Sequence, residues 1–220
     1  MLWFILQKTM NKAFPNFVSS LVKLIFISTA VRIFLAAIFE LSNDEVYYWL
    51  YARYPDWSHY DHPPMVGLLI QISTFNLHFD APFFIRFGSV LLSALNTWII
   101  YKTGKLLGGK DAGWIAALLY TSSLYTSLIA GVFILPDSPQ LFFILLGQWF
   151  YLQAFSEKSY FGSVRVLFPL AGLFYALAMS SKYHSIFFVA AVAFYGWFID
   201  KRWRVSKSFN LSILISSFGI

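Results

Sequence analysis

Ten carboxylates, four histidines, 16 lysines and arginines and 13 tyrosines are the acid–base groups this 220-residue chain offers, and the most suggestive stand in four short motifs. Asp44 and Glu45 follow the end of the first apolar stretch. A carboxylate at such a water boundary can accept a proton from a substrate hydroxyl. The same pair has a structural reading, because Ser42-x-x-Glu45 has capping-box spacing and Asp44 suits the positive end of a helix. His59-Tyr60-Asp61-His62 holds three possible ligands for a divalent metal. It reads better as a turn in which Asp61 or His62 caps a helix opened by Pro63-Pro64. In Pro136-Asp137-Ser138-Pro139 a cap and a helix start explain Ser138 and Pro139 but do not require Asp137. Lys182-Tyr183-His184 interrupts an otherwise continuous apolar run over 164–199, as a tight hairpin or a break at membrane depth. Arg86 and Arg32 lie inside apolar stretches, where a cation is costly and points to function or to a partner on another helix. Arg32 stands 12 residues before Asp44, roughly 18 Å along a helix.

Several chemistries are excluded. With no cysteine, thiol nucleophiles, disulfides and thiolate metal sites are absent. Gly104-Lys-Leu-Leu-Gly-Gly109-Lys110 matches a phosphate loop in outline, but Asp111 replaces the magnesium-binding hydroxyl and no strand precedes it. It reads as a basic turn.

The elements that must position these residues are membrane helices. The chain is 59% hydrophobic and 12% charged, with a mean hydropathy of +0.65, against about 25% charged in a soluble domain. Apolar spans are predicted near 17–41, 83–101, 112–132, 140–155, 164–181 and 184–199, with another starting near 209. The predicted fold is an all-α polytopic membrane protein of six to seven spans. The first span is too long for a signal-peptide core and reads as a retained anchor. The last is still hydrophobic where it stops at Ile220, so 1–220 is expected to be the N-terminal part, a single transmembrane domain, of a longer enzyme.

The net charge of +6 reports topology. Connecting segments alternate, with +8 on the side of Lys8, Lys12, Lys102, Lys105, Lys110 and Lys158 and −4 on the side of Asp44, Asp61 and Asp137. The positive-inside rule makes the N-terminus cytoplasmic, and the cations are too dispersed for a nucleic-acid partner. All four histidines then face outward. The outer loop 42–82 is long enough to expect function. Tyr47, Leu50, Tyr51 and Tyr54 recur at helical spacing, predicting one interfacial helix, and a second runs from Pro63-Pro64 to about Phe75.

Two acids and two cations from four outer helix ends suit transfer from a membrane-held phosphate ester. Cations stabilise the departing phosphate and a carboxylate deprotonates the acceptor. The order Arg32, Asp44-Glu45-Val-Tyr47-Tyr48-Trp49, Tyr60-Asp61-His62-Pro63-Pro64, Arg86, Pro136-Asp137-Ser138-Pro139, Ser181-Lys182-Tyr183 resembles the polyprenyl-phosphate-sugar-dependent glycosyltransferases of the GT-C fold. These include protein O-mannosyltransferases and lipid A aminoarabinose transferases. The resemblance implies a GT-C-like helix bundle in the plasma (inner) membrane with its site on the periplasmic or extracellular face. It implies an inverting displacement that moves a hexose or pentose from a polyprenyl-phosphate donor to a lipid, glycan or protein acceptor. Asp44 would be the catalytic base, supported by Glu45, with Asp137 the second acid of the site. Arg86 and Lys182 would contact the donor phosphate, with Arg32, Tyr48, His62 and Tyr183 as further substrate contacts. Some relatives hold a divalent metal near His62, so such an ion is a possible but unassigned cofactor. The rival expectation is a transporter or flippase subunit with Lys23 and Arg32 along its path, although no duplicated half is visible.

Overall fold

A computed structural model describes residues 17–156 and 163–219, and every regular element in them is helical. Lys8, Lys12, Glu157 and Lys158 lie outside the described residues. Helix α1 (Phe17–Ile38) contains 22 residues, about 33 Å of rise and enough to cross a bilayer core. Its Phe26 and Phe34 are 73% and 61% exposed, the placement of side chains that meet lipid rather than water. Among the described residues, two helices are long and apolar enough to cross a membrane: Ser20–Ile38 within α1, and α4 (Pro82–Ser122).

Helix α4 is a hairpin. Gly108 and Gly109 leave helical geometry, Gly109 at φ +84°, where a side chain would be strained. Ser93 and Tyr120 are 27 residues apart, about 40 Å along a straight helix, yet their hydroxyls lie 3.4 Å apart. A Cβ on Gly113 would come within 2.6 Å of the Tyr101 carbonyl oxygen, so the glycines let the two limbs touch. The limbs match the spans predicted over 83–101 and 112–132, with one difference. The second limb ends at Ser122, and a π-helical turn (Tyr125–Ile129) follows in place of helix to 132. The Thr126 and Ser127 hydroxyls donate back to the carbonyls of Tyr120 and Thr121, competing with the helical ladder there.

Between α1 and α4 lie two short helices. The first, α2 (Asn43–Arg53), starts with the predicted capping box: Glu45 N–H donates to Ser42 Oγ, and Ser42 N–H donates to the Glu45 carboxylate. The second, α3 (Met65–Ser73), has Pro64 at its N-cap with no side-chain hydrogen bond. Asp61 and His62 therefore do not cap it. Asp61 is drawn off by the Tyr47 hydroxyl, which donates to it at 3.0 Å. Tyr51, Val66, Ile70, Ile85 and Ile134 bury together beneath these helices and fasten the loop to the bundle.

The later helices are α5 (Asp137–Ser156), α6 (Val164–Met179), α7 (Ile186–Phe194) and α8 (Lys207–Ser217). They lie in the apolar stretches at 140–155, 164–181, 184–199 and from 209, with α7 giving way to a π-helical turn (Tyr195–Ile199). Helix α6 packs against α5 and α8 around Tyr151, Phe168, Tyr175 and Phe209. Gly172 permits this, since a Cβ there would lie 2.3 Å from the Ser212 carbonyl oxygen. Lys182-Tyr183-His184 breaks the apolar run as anticipated, through the 3₁₀ turn Tyr183–Ser185.

Candidate active site

The capping box aims the Glu45 side chain into the protein, where it is 0% exposed. Arg86 meets it from α4, donating from Nε to Oε1 and from Nη2 to Oε2, both at 2.7 Å. The backbone N–H of Ile134 donates to Oε1 at 3.1 Å. Burial pushes the carboxyl up, but Arg86 and the Ser42 and Ile134 amides outweigh it and hold Glu45 below the ordinary carboxylate range. Arg86 spends its remaining N–H groups on the carbonyls of Ala36, Phe39 and Glu40 at the end of α1. All five of its donors are committed and its side chain is 0% exposed. Arg86 thus clamps α1, α2 and α4 together, with Glu45 as the acceptor of that clamp.

The clamp leaves its neighbour outside. Asp44 is solvent-facing on the first turn of α2, with no hydrogen-bond or ion-pair partner among the described residues. One turn along, Tyr48 is half-buried; burial pushes its phenol up to about 12, helped by Tyr51 and by the charges of Asp44, Asp137 and Asp61.

Asp137 opens α5 and pairs with Lys182, whose Nζ donates to both carboxylate oxygens at 3.0 and 2.9 Å. The Tyr125 hydroxyl donates to Oδ1 from the π turn. Burial raises the carboxyl, but Tyr125 and Lys182 outweigh it and hold Asp137 below the ordinary range. The pair is 16% and 23% exposed on its side chains, so it borders solvent. Two bonds to Asp137 leave one Lys182 N–H uncommitted among the described residues.

The His62 ring lies 5.8 Å from that of Tyr48. Burial lowers its pKa, Lys182 lowers it further, and Asp61 and Asp137 oppose them. Its Nδ1 is buried without a hydrogen bond. The exposed Tyr183 ring shares a hydrogen bond of 3.2 Å with Ser58, tying the outer loop to the start of α7. Asp44, Tyr48, Asp61, His62, Asp137, Lys182 and Tyr183 therefore occupy one rim at the same end of the helices. Arg32 does not join it. It is buried four residues below Ala36 on α1, where it donates to Ser127 Oγ at 3.4 Å.

The residues do not fit a divalent-ion site: among the described residues no three His, Asp or Glu side chains converge closely enough to hold one. His59 instead stacks on Tyr51 with ring centroids 3.7 Å apart. Sequence reasoning missed Tyr125, which sits on an irregular turn with no helical pattern to mark it.

A family model for the dolichyl-phosphate-mannose-protein mannosyltransferases matches residues 61–218, well over half of the 220. The chain belongs to this family. It is accordingly a membrane glycosyltransferase of the mannosyltransferase type, related to GT-C enzymes, and the expectation of a transporter or flippase falls away. Membership implies a polyprenyl-phosphate-sugar donor and a lipid or protein acceptor in a membrane. Asp137, Lys182 and His62 lie within the match, whereas Asp44 and Glu45 precede it. No curated protein and no solved structure matches the chain.

Proposed function

We propose that the chain transfers a sugar from a polyprenyl-phosphate donor to a lipid, glycan or protein hydroxyl at the outer face of the plasma membrane, with inversion at the anomeric carbon. Asp44 takes the acceptor proton as the acceptor oxygen bonds to that carbon. The bond from carbon to the phosphate oxygen breaks, and its electron pair leaves with the lipid phosphate. Lys182 stabilises that growing charge through its uncommitted N–H while Asp137 holds its ammonium in place. Tyr48, His62 and Tyr183 line the rim as hydrogen-bond partners for sugar and acceptor.

The observation that carries this reading is the Asp137–Lys182 ion pair, 2.9 Å long and partly open to solvent, with Asp44 exposed on the first turn of α2 and unpartnered among the described residues. The matching topology has six to seven crossings and a cytoplasmic N-terminus, with α1, the two limbs of α4, α5, α6, α7 and α8 as the crossing segments.

Asp44→Asn in the full protein tests the reading. Sugar transfer from a polyprenyl-phosphate donor should fall by about 10²–10⁴-fold, with the protein still inserted in the membrane. Unchanged transfer would remove Asp44 as the base.

A further inference from the structure

We propose that Arg32 and the polar side chains around it form an internal binding site for one small inorganic monoanion of the halide class. Arg32 is 2% exposed and stands six residues before the end of α1, about 9 Å along the helix and below the Arg86 clamp. One donor reaches Ser127; Nε and Nη1 are buried with no hydrogen bond. No carboxylate among the described residues pairs with it, since Glu45 serves Arg86, Asp137 serves Lys182 and Asp200 serves Arg202. Its electrostatic neighbour is Tyr120, a phenol without charge at neutral pH.

The surroundings share the deficit. Asn96 lies beside the Tyr120 hydroxyl, yet neither amide atom makes a well-formed hydrogen bond. Thr29, one turn before Arg32, and Ser89, two turns before Asn96, also have buried, unpaired hydroxyls. Helices α1 and α4 pack directly together, and Tyr120 is the electrostatic neighbour of Arg32 and the side-chain neighbour of Asn96. The unsatisfied set is rich in donors: three guanidinium N–H bonds on Nε and Nη1, one amide NH₂ and two hydroxyls, against a single obligate acceptor, Asn96 Oδ1. Water would satisfy the hydrogen bonds but not the charge, and guanidinium does not discharge by losing a proton. Buried charge is costly without a counter-charge. A halide supplies the missing negative charge and accepts from the unpaired guanidinium donors.

The test is thermal unfolding of the full chain in detergent, in sodium chloride or bromide against sodium gluconate at equal ionic strength. Halide should raise the unfolding temperature saturably, by roughly 3–6 °C at tenfold excess over its dissociation constant. Arg32→Gln should abolish the shift. If that variant does not fold, Asn96→Ala should keep a shift whose halide midpoint is at least fivefold higher. Identical wild-type curves in halide and gluconate would overturn the proposal, leaving water or another chain segment to satisfy Arg32. A halide shift unchanged in the folded variants would overturn it equally, as a general salt effect.

Discussion

A carboxylate that receives Arg86 on both oxygens, plus backbone donors from Ser42 and Ile134, has no free lone pair to offer a substrate. That is the state of Glu45, and it explains how adjacent acids divide their labour. Glu45 points inward and fixes the start of α2; Asp44 is thereby held outward. Glu45→Gln leaves the Arg86 charge buried without its counter-charge, which costs about 3–5 kcal/mol and should lower the unfolding temperature sharply. The pH dependence has a definite sign. Glu45 and Asp137 are both held below their ordinary values, so their stabilisation is complete above the unfolded range, near pH 4. It is lost as pH falls through the depressed folded values. Thermal unfolding in detergent should be level from pH 7 to about 5 and fall below that, with a shallower acid limb in Glu45→Gln. An acid limb identical to wild type would remove Glu45 as its source. The capping box was legible in the sequence because four consecutive residues define it. The clamp was not, because Arg86 is 41 residues from Glu45 and its other acceptors are backbone carbonyls of a third helix.

Among the elements, the π turn Tyr125–Ile129 links the two depths of the protein. Its Tyr125 reaches up to Asp137 and its Ser127 receives Arg32. Gly131 lets the turn close: a Cβ there would lie 2.4 Å from the Thr126 carbonyl oxygen and 2.6 Å from that of Ser127. Both are backbone atoms and cannot swing aside. Gly131→Ala should therefore cost about 1–3 kcal/mol and reduce transfer by loosening Tyr125 from Asp137. Both losses are measurable by thermal unfolding and a transfer assay, and wild-type stability would show that the turn tolerates the methyl group. Hydrophobic pattern anticipated the two limbs of α4, and Gly108-Gly109 marked their turn. The early end of the second limb depended on two hydroxyls folding back on the preceding carbonyls, which apolar periodicity does not register.

For the whole molecule, the alternation of charge between connecting segments assigns the outer loop and the basic turn at Lys110 to opposite sides. The absence of cysteine makes this simple to measure. Trp57 is 93% exposed and Lys110 is exposed, so single replacements Trp57→Cys and Lys110→Cys should leave the fold intact. A membrane-impermeant maleimide should label the first on intact cells and the second only after permeabilisation. The reverse pattern would invert the topology and move the rim to the cytoplasm.

Sequence alone determined the solvent, the helical class and the motif order, because hydropathy and charge are properties of contiguous residues. It also pointed to Asp44, Asp137 and Lys182 as residues of one outer face. Only the tertiary structure decided which charges are spent on one another. Glu45 and Arg86 are consumed in a buried clamp, Asp137 and Lys182 form a half-exposed pair, Asp44 is left open, and Arg32 lies apart beneath them. Those outcomes depend on which helix faces meet, and a guanidinium with five donors takes whatever acceptors that packing brings within 3 Å or so.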